Sequence, residues 1–175
     1  MFMIEGEYYK MYQHKYRIGT KSDLPFLKEM LYEAILWNQP ENRPSLEEIF
    51  SHPDLNKILN DWGNREGDLS IIVLDIDDQP VGAVWYRFFT LKDHSFGFVD
   101  EDIPELGIAI RKEFRGKGIG TFLMKKIIHY AKDSDIKGIS LSVTPENYAL
   151  RLYQKLGFHK VCDTGDAWTM LIDLD

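Results

Sequence analysis

Residues 104–130 read PELGIAI, RKEF, RGKGIG and TFLMKKIIHY. The first block is a short apolar run of the kind that forms a buried strand. The third is glycine-rich. The last repeats apolar residues at helical spacing, with Ile119, Leu123, Ile127 and Tyr130 on one face. A strand that turns through glycines straight into a helix leaves the helix's first N–H groups without internal partners. The helix dipole adds partial positive charge at the same point. Side chains are missing at Gly116, Gly118 and Gly120, so a ligand can approach the main chain closely. The expected product is a phosphate or diphosphate cradle over Arg115, Gly116, Lys117, Gly118, Ile119, Gly120 and Thr121. A tight turn that binds nothing is the alternative.

The letters separate three kinds of phosphate loop. An ATP loop needs GxxxxGK followed by Ser or Thr. Gly116-Lys117 is followed by Gly118, and residue 111 is arginine. The dinucleotide fingerprint GxGxxG fails as well, because the glycines here run GxGxG. The pattern Arg/Gln-x-x-Gly-x-Gly/Ala remains, and Arg115, Gly118 and Gly120 satisfy it.

A second stretch lies downstream, NYALRLYQKLGF over residues 147–158. Taken with the first, in this order, it resembles the GCN5-related N-acetyltransferase (GNAT) family, whose members follow the glycine loop with a helix, a strand and Asn-x-Ala…Leu-Tyr-x-x-x-Gly-Phe. The close resemblance covers residues 104–160. It implies an enzyme that binds acetyl-CoA and transfers its acetyl group directly to a primary amine of a small molecule or peptide. A GNAT-like domain that binds acyl-CoA without catalysis, as a sensor or interaction module, is the other expectation.

Working outward, 175 residues suit one domain, expected over 14–175, with a tyrosine-rich extension over 1–13. Apolar residues make up 44%, enough for a core. The formal charge of −7 disfavours a nucleic-acid partner. It suits a cationic substrate or simple solubility. No apolar run approaches the roughly 18 residues of a membrane span, and the N-terminus lacks the order of a signal peptide. The one cysteine, Cys162, cannot form an internal disulfide, which fits a cytoplasmic protein. It sits in an apolar run and reads as a buried thiol. The five histidines show no metal-ligand spacing, so no metal is expected. Pairing of subunits is common in the resembled family, which leaves a homodimer as an open expectation.

The expected element order is β-α-α-β-β-β-α-β-α-β-β, an α/β (α+β) class. Residues 14–20 begin it as a strand. Ser22 is the expected cap of a helix with Leu24, Leu27, Leu31 and Ile35 on one face. Ser45-x-x-Glu48 is a capping box for a second helix. Leu69–Ile76 and Val81–Thr90 flank the turn Asp77–Pro80 as a hairpin. Residues 91–103 form a longer acidic connection. Alternating Ile139, Leu141 and Val143 with Ser140 and Ser142 predict a half-buried strand. Gly157 ends the next helix. The resemblance implies the GNAT fold: a twisted mixed sheet of about seven strands with helices on both faces. It also implies a splay between the fourth and fifth strands that admits the pantetheine arm.

The same resemblance assigns roles. Backbone groups of Ile108, Ala109 and Ile110 would pair with pantetheine amides, as an added strand does. Asn147 would bind the same arm or cap its helix. Tyr153 matches the family's general acid; packing in the core is the alternative. Glu105 stands where some members hold a base that deprotonates the amine through water, a role that needs burial to raise its pKa. An exposed strand-end glutamate is the other reading. Lys117 is open between cofactor contact and solvent. Acceptor recognition is expected among Tyr32, Trp37, residues 38–62 with Trp62, Trp85, Tyr86 and the acidic segment 100–102.

Overall fold

The computed structural model describes residues 14–174, so the expected extension 1–13 lies outside it. In chain order the elements are β1 (Lys15–Ile18), α1 (Leu24–Ile35), α2 (Leu46–Ser51), α3 (Pro53–Asn56), β2 (Leu69–Leu74), β3 (Pro80–Arg87), β4 (Glu105–Ile110), α4 (Ile119–Asp133), β5 (Gly138–Val143), α5 (Leu150–Lys155), β6 (His159–Asp163) and β7 (Trp168–Asp173). The strands form one sheet in the order β1-β2-β3-β4-β5-β7-β6. Every neighbouring pair is antiparallel except β4 with β5, which is parallel.

Strand alternation sorts the core into two layers. On one face Ile71, Val73, Val84, Tyr86 and Leu106 pack with Leu123, Met124 and Ile127 of α4 and with Tyr153 of α5. On the other, Ile72, Ala83, Trp85 and Ala109 pack with Phe26, Leu27, Met30 and Leu31 of α1. Both faces of the central strands are therefore covered, which explains the near-continuous apolar runs of β2 and β3. Tight hairpin geometry joins these two strands across the Asp75–Gln79 turn. Ile76 belongs to that turn, not to the strand, and is almost fully exposed. β3 runs Pro80–Arg87 and so stops short of the expected Thr90.

Three further expectations are corrected. Asp23, not Ser22, is the N-cap of α1, and its side chain makes no cap bond to the helix but closes the Lys21–Asp23 turn before it. Its carboxylate accepts from the Thr20 N–H at 2.7 Å and from both terminal nitrogens of Arg17. Arg17 thereby holds the Asp23 carboxyl below its ordinary range. The strand with Ser140 and Ser142 is not half-buried: Ser140 is fully buried, because a neighbouring strand lies on each side and layers cover both faces. Cys162 is exposed, since β6 is the sheet edge and no helix covers it. The Ser45–Glu48 capping box is present, with the Glu48 N–H donating to Ser45 Oγ at 3.1 Å and Glu48 accepting from the Ser45 N–H at 2.6 Å. Gly157 ends α5 as expected, with the Phe158 N–H donating to Tyr153 O and the Gly157 N–H to Gln154 O.

The sheet opens between β4 and β5. Their register holds only at Glu105 opposite Ser140, anchored by the Ser140 N–H donating to Pro104 O at 3.0 Å. Beyond that point the strands diverge, and a cavity of about 590 Å³ occupies the gap. Residues 94–98 pack into its near end. A Cβ at Gly97 would stand 2.7 Å from the Leu141 carbonyl carbon and 2.8 Å from the Ser142 nitrogen, so only glycine fits this approach.

Candidate active site

The glycine loop forms one end of the cavity. Gly116, Gly118, Gly120 and Thr121 all line it. The first bond inside α4 runs from the Phe122 N–H to Gly118 O, 3.0 Å, which leaves the amides of Ile119, Gly120 and Thr121 to open the helix. Gly118 holds φ +82°, and a Cβ there meets nothing within 4 Å. Crowding inside the protein therefore does not demand glycine; backbone conformation does, together with whatever fills the space beyond. Gly118→Ala should cost about 1–2 kcal/mol for the left-handed backbone. If the loop holds a diphosphate, acetyl-CoA affinity should also fall about tenfold as the methyl enters the ligand's space. A melting curve with calorimetric titration checks this. A bare turn would show the first effect alone.

Arg115 is committed elsewhere than the sequence implied. Its Nε donates to Ile110 O at 2.9 Å, and its terminal nitrogen reaches Glu33 at 3.2 Å. Arg111 makes a two-pronged contact with Glu29, at 2.8 and 3.0 Å. These arginines brace the loop against α1, and Arg115 lines the cavity from that position. Lys117 lies over the Phe114 ring at 5.1 Å.

The backbone of β4 divides by parity. The Arg111 N–H donates to Val81 O, which makes 111 and 81 a hydrogen-bonded pair. Alternation along an antiparallel ladder then turns residues 105, 107 and 109 toward β3 and residues 106, 108 and 110 away from it. Ile108 presents both backbone groups to the gap and Ile110 its N–H. Ala109 was expected to do the same and does not; its N–H and C=O face Ala83.

Glu105 is buried, not an exposed strand end. Burial pushes its carboxyl up to about 7, against the opposing pull of the Gly97 N–H, Ser95 and His94. Its Oε2 has no hydrogen-bond partner. Among the described residues, four buried side-chain polar atoms lack partners: Ser70 Oγ, Ser95 Oγ, Glu105 Oε2 and Thr144 Oγ1. The residues carrying the last three line this one cavity. Buried polar atoms normally find partners, so such a cluster has hydrogen-bonding capacity open to water or to a polar ligand.

Tyr153 stands on the opposite wall. It is buried against Phe158, and burial raises its phenol above the ordinary value. Asn147 lines the cavity and also accepts from the Ala149 N–H at 2.9 Å, so its side-chain oxygen serves the helix start. Trp37 and Tyr148 meet edge to face, 6.2 Å between centroids, across the cavity rim.

Of the expected acceptor residues, Trp37 and Trp85 line the cavity, as do Leu55 and Ile58 from the 38–62 region. Tyr86 points into the layer with α4. Trp62 is buried under Arg87, whose guanidinium lies 5.0 Å above its ring. Tyr32 donates to Pro44 O at 2.9 Å, and Glu101 accepts from the Leu91 N–H. Neither residue lines the cavity. Glu33, Phe89, Ser95, Phe96 and Thr144 were missed. Glu33 lies among ordinary helix-surface residues. Only the odd sequence Phe96-Gly97-Phe98, two aromatics about a glycine in a long connection, offered a signal.

Known proteins share this architecture. The sequence model of the Acetyltransferase (GNAT) family matches residues 30–158. An uncharacterized N-acetyltransferase of Methanocaldococcus jannaschii is 30% identical over 105 residues, 57% of this chain and 43% of its own length. The chain spans about half the length of the curated relatives it matches. The PaiA N-acetyltransferase of Thermoplasma acidophilum, crystallised with coenzyme A, superimposes with a TM-score of 0.66 at 20% identity, covering 91% of this chain and 99% of that one. YncA of Salmonella typhimurium, crystallised with its cofactor acetyl-CoA, gives 0.64 at 17% identity, covering 93% and 95%.

Proposed function

The chain belongs to the GNAT acetyltransferase family, and from that premise we propose that it moves an acetyl group from acetyl-CoA to a primary amine by direct transfer in a ternary complex. The observation that carries this reading is the cluster of three unpartnered buried polar atoms in one cavity that also holds the open end of α4. The site fits acetyl-CoA: the space beyond Gly116 and Gly118 is free of protein atoms, and the backbone of Ile108 faces the gap. Acetyl-CoA supplies a thioester with an electrophilic acyl carbon and a sulfur leaving group.

The residues then divide the work. Main-chain amides at 118–121 hold the diphosphate, helped by the dipole of α4. Ile108 pairs with the pantetheine arm as a strand neighbour would. Glu105, whose pKa near 7 leaves it able to accept a proton at neutral pH, takes one from the ammonium through water. The amine nitrogen bonds to the acyl carbon, the C–S bond breaks to release the CoA thiolate, and the nitrogen sheds its second proton to water as the amide forms. Negative charge on the carbonyl oxygen is met by the Ile110 N–H. Tyr153 donates a hydrogen bond to the departing sulfur. No covalent acyl-enzyme is needed, and Cys162, on the exposed edge strand, is not among the residues of the cavity. A cytoplasmic location goes with this reading, since a lone cysteine permits no internal disulfide.

Initial rates with the amine varied at several acetyl-CoA concentrations test the proposal. Intersecting reciprocal plots are expected. Parallel lines would mean a covalent intermediate and would overturn direct transfer.

A further inference from the structure

The part of the cavity on the α1 side of the sheet has a wall of one chemical kind. Leu31 and Ile35 of α1, Leu55 and Ile58 around α3, Trp85 of β3 and Phe96 of the 94–98 segment form it. The ionisable groups lining the cavity are few, and most are already matched. Arg87 is sealed in an ion pair with Asp68, 2.6 Å, with both side chains 1% exposed. Glu33 is shared by Arg43 at 2.7 Å and Arg115 at 3.2 Å, so the surplus positive charge belongs to the glycine-loop end of the cavity, where Arg115 stands. Lys155 stands on α5, which packs with the layer on the other face of the sheet. Glu105 is left at the foot of the apolar wall, with Oε2 free of a hydrogen bond and the Ser95 hydroxyl beside its carboxylate in the same cavity.

We propose that the acceptor is a primary amine carried on an apolar, otherwise uncharged body, whose ammonium is received by Glu105 and Ser95 and whose body rests on the α1-side wall. The inference rests on the acetyltransferase reading of the site. It follows from matching of charge. An ammonium has three N–H donors, and Glu105 Oε2 and the Ser95 oxygen can both accept from it. A carboxylate resting on the apolar wall itself would meet no cation among the described residues that form that wall and would be buried at high cost. A second ammonium would find no second unmatched carboxylate. Discrimination here comes as much from what the wall cannot satisfy as from what it attracts.

Three amines of graded chemistry test the proposal: phenethylamine, phenylalanine (the same body with a carboxylate) and spermidine. Release of the CoA thiol gives kcat/KM for each, and calorimetry gives acetyl-CoA affinity separately. Phenethylamine should exceed the other two on the order of a hundredfold. Phe96→Ala changes a side chain that is 56% exposed, so the fold is spared. It should lower kcat/KM for phenethylamine about fivefold and leave acetyl-CoA affinity unchanged. Faster turnover of phenylalanine or spermidine overturns the inference, as does acetyl-CoA binding with no acetylation of phenethylamine; in both cases the cofactor reading stands. Failure to bind acetyl-CoA at all overturns that reading and this inference with it.

Discussion

Glu105→Gln is expected to lower kcat/KM for the amine about a thousandfold, within the range of a positioned general base. Acetyl-CoA affinity should stay within about twofold, because Glu105 lies on the α1-side face of β4, away from the glycine loop. The pH profile carries the more specific signature. The group accepts a proton only when ionised. With its pKa near 7, wild-type activity should rise through that pH and lose this limb in the variant. A second limb near the amine's own pKa, about 10 for an alkylamine, should persist in both.

Stability gives an independent sign. The folded pKa lies above the ordinary value of 4.5, so between the two the native state binds more protons than the unfolded chain. Wild-type stability must then fall as pH rises from about 4.5 to about 7, opposite to the usual carboxylate. The total is up to about 3 kcal/mol, from about 1.4 kcal/mol per pKa unit. Denaturant titrations at pH 5 and pH 8 should show that slope in the wild type and its loss in the variant. Equal activity of the two proteins at pH 8 would remove Glu105 from the chemistry, whatever the stability data show.

Tyr153→Phe should lower kcat about a hundredfold while the acetyl-CoA dissociation constant stays nearly unchanged. The ring packs against Phe158 and within the α4-side layer, and phenylalanine keeps that packing. What it loses is one hydroxyl. Burial raises the phenol above its ordinary value, which moves it away from a thiol, ordinarily near 8.5. The phenol therefore remains protonated throughout the working pH range, and full proton transfer to sulfur runs uphill. Its contribution is a hydrogen bond that strengthens as charge collects on the leaving group, hence the lower end of the general-acid range. Single-turnover acetyl transfer with a saturating amine measures the step directly. A rate within threefold of wild type would reduce Tyr153 to a core residue.

Much of the site was legible in the linear chain because it is local. A helix N-terminus, its glycines and its preceding strand lie within residues 104–130, and the amides that matter belong to the main chain. Gly118 is legible for the same reason: its left-handed backbone is a property of one residue. Helix caps were half legible. Ser45 and Glu48 find each other three residues apart, whereas the Asp23 side chain at the start of α1 makes no cap bond and is held by Arg17 of β1.

Parity and partnership were not legible. Whether Ala109 or Ile108 turns its backbone to the gap depends on register with β3, fixed by pairing 81 with 111. Arg115 looks like a phosphate ligand in the motif, and its partners Ile110 and Glu33 are apparent only once α1 packs beside the loop. Cys162 looked buried because its neighbours are apolar, but burial depends on what covers a strand, and β6 lies at the edge.

The sequence by itself determined the order of elements, the glycine-opened helix and the family to which the chain belongs, since each rests on residues close together along the backbone. Tertiary structure alone decided the state of Glu105. Its raised pKa arises from desolvation by segments brought together from 94–98, β4 and β5, and no local pattern encodes how much water such a meeting removes.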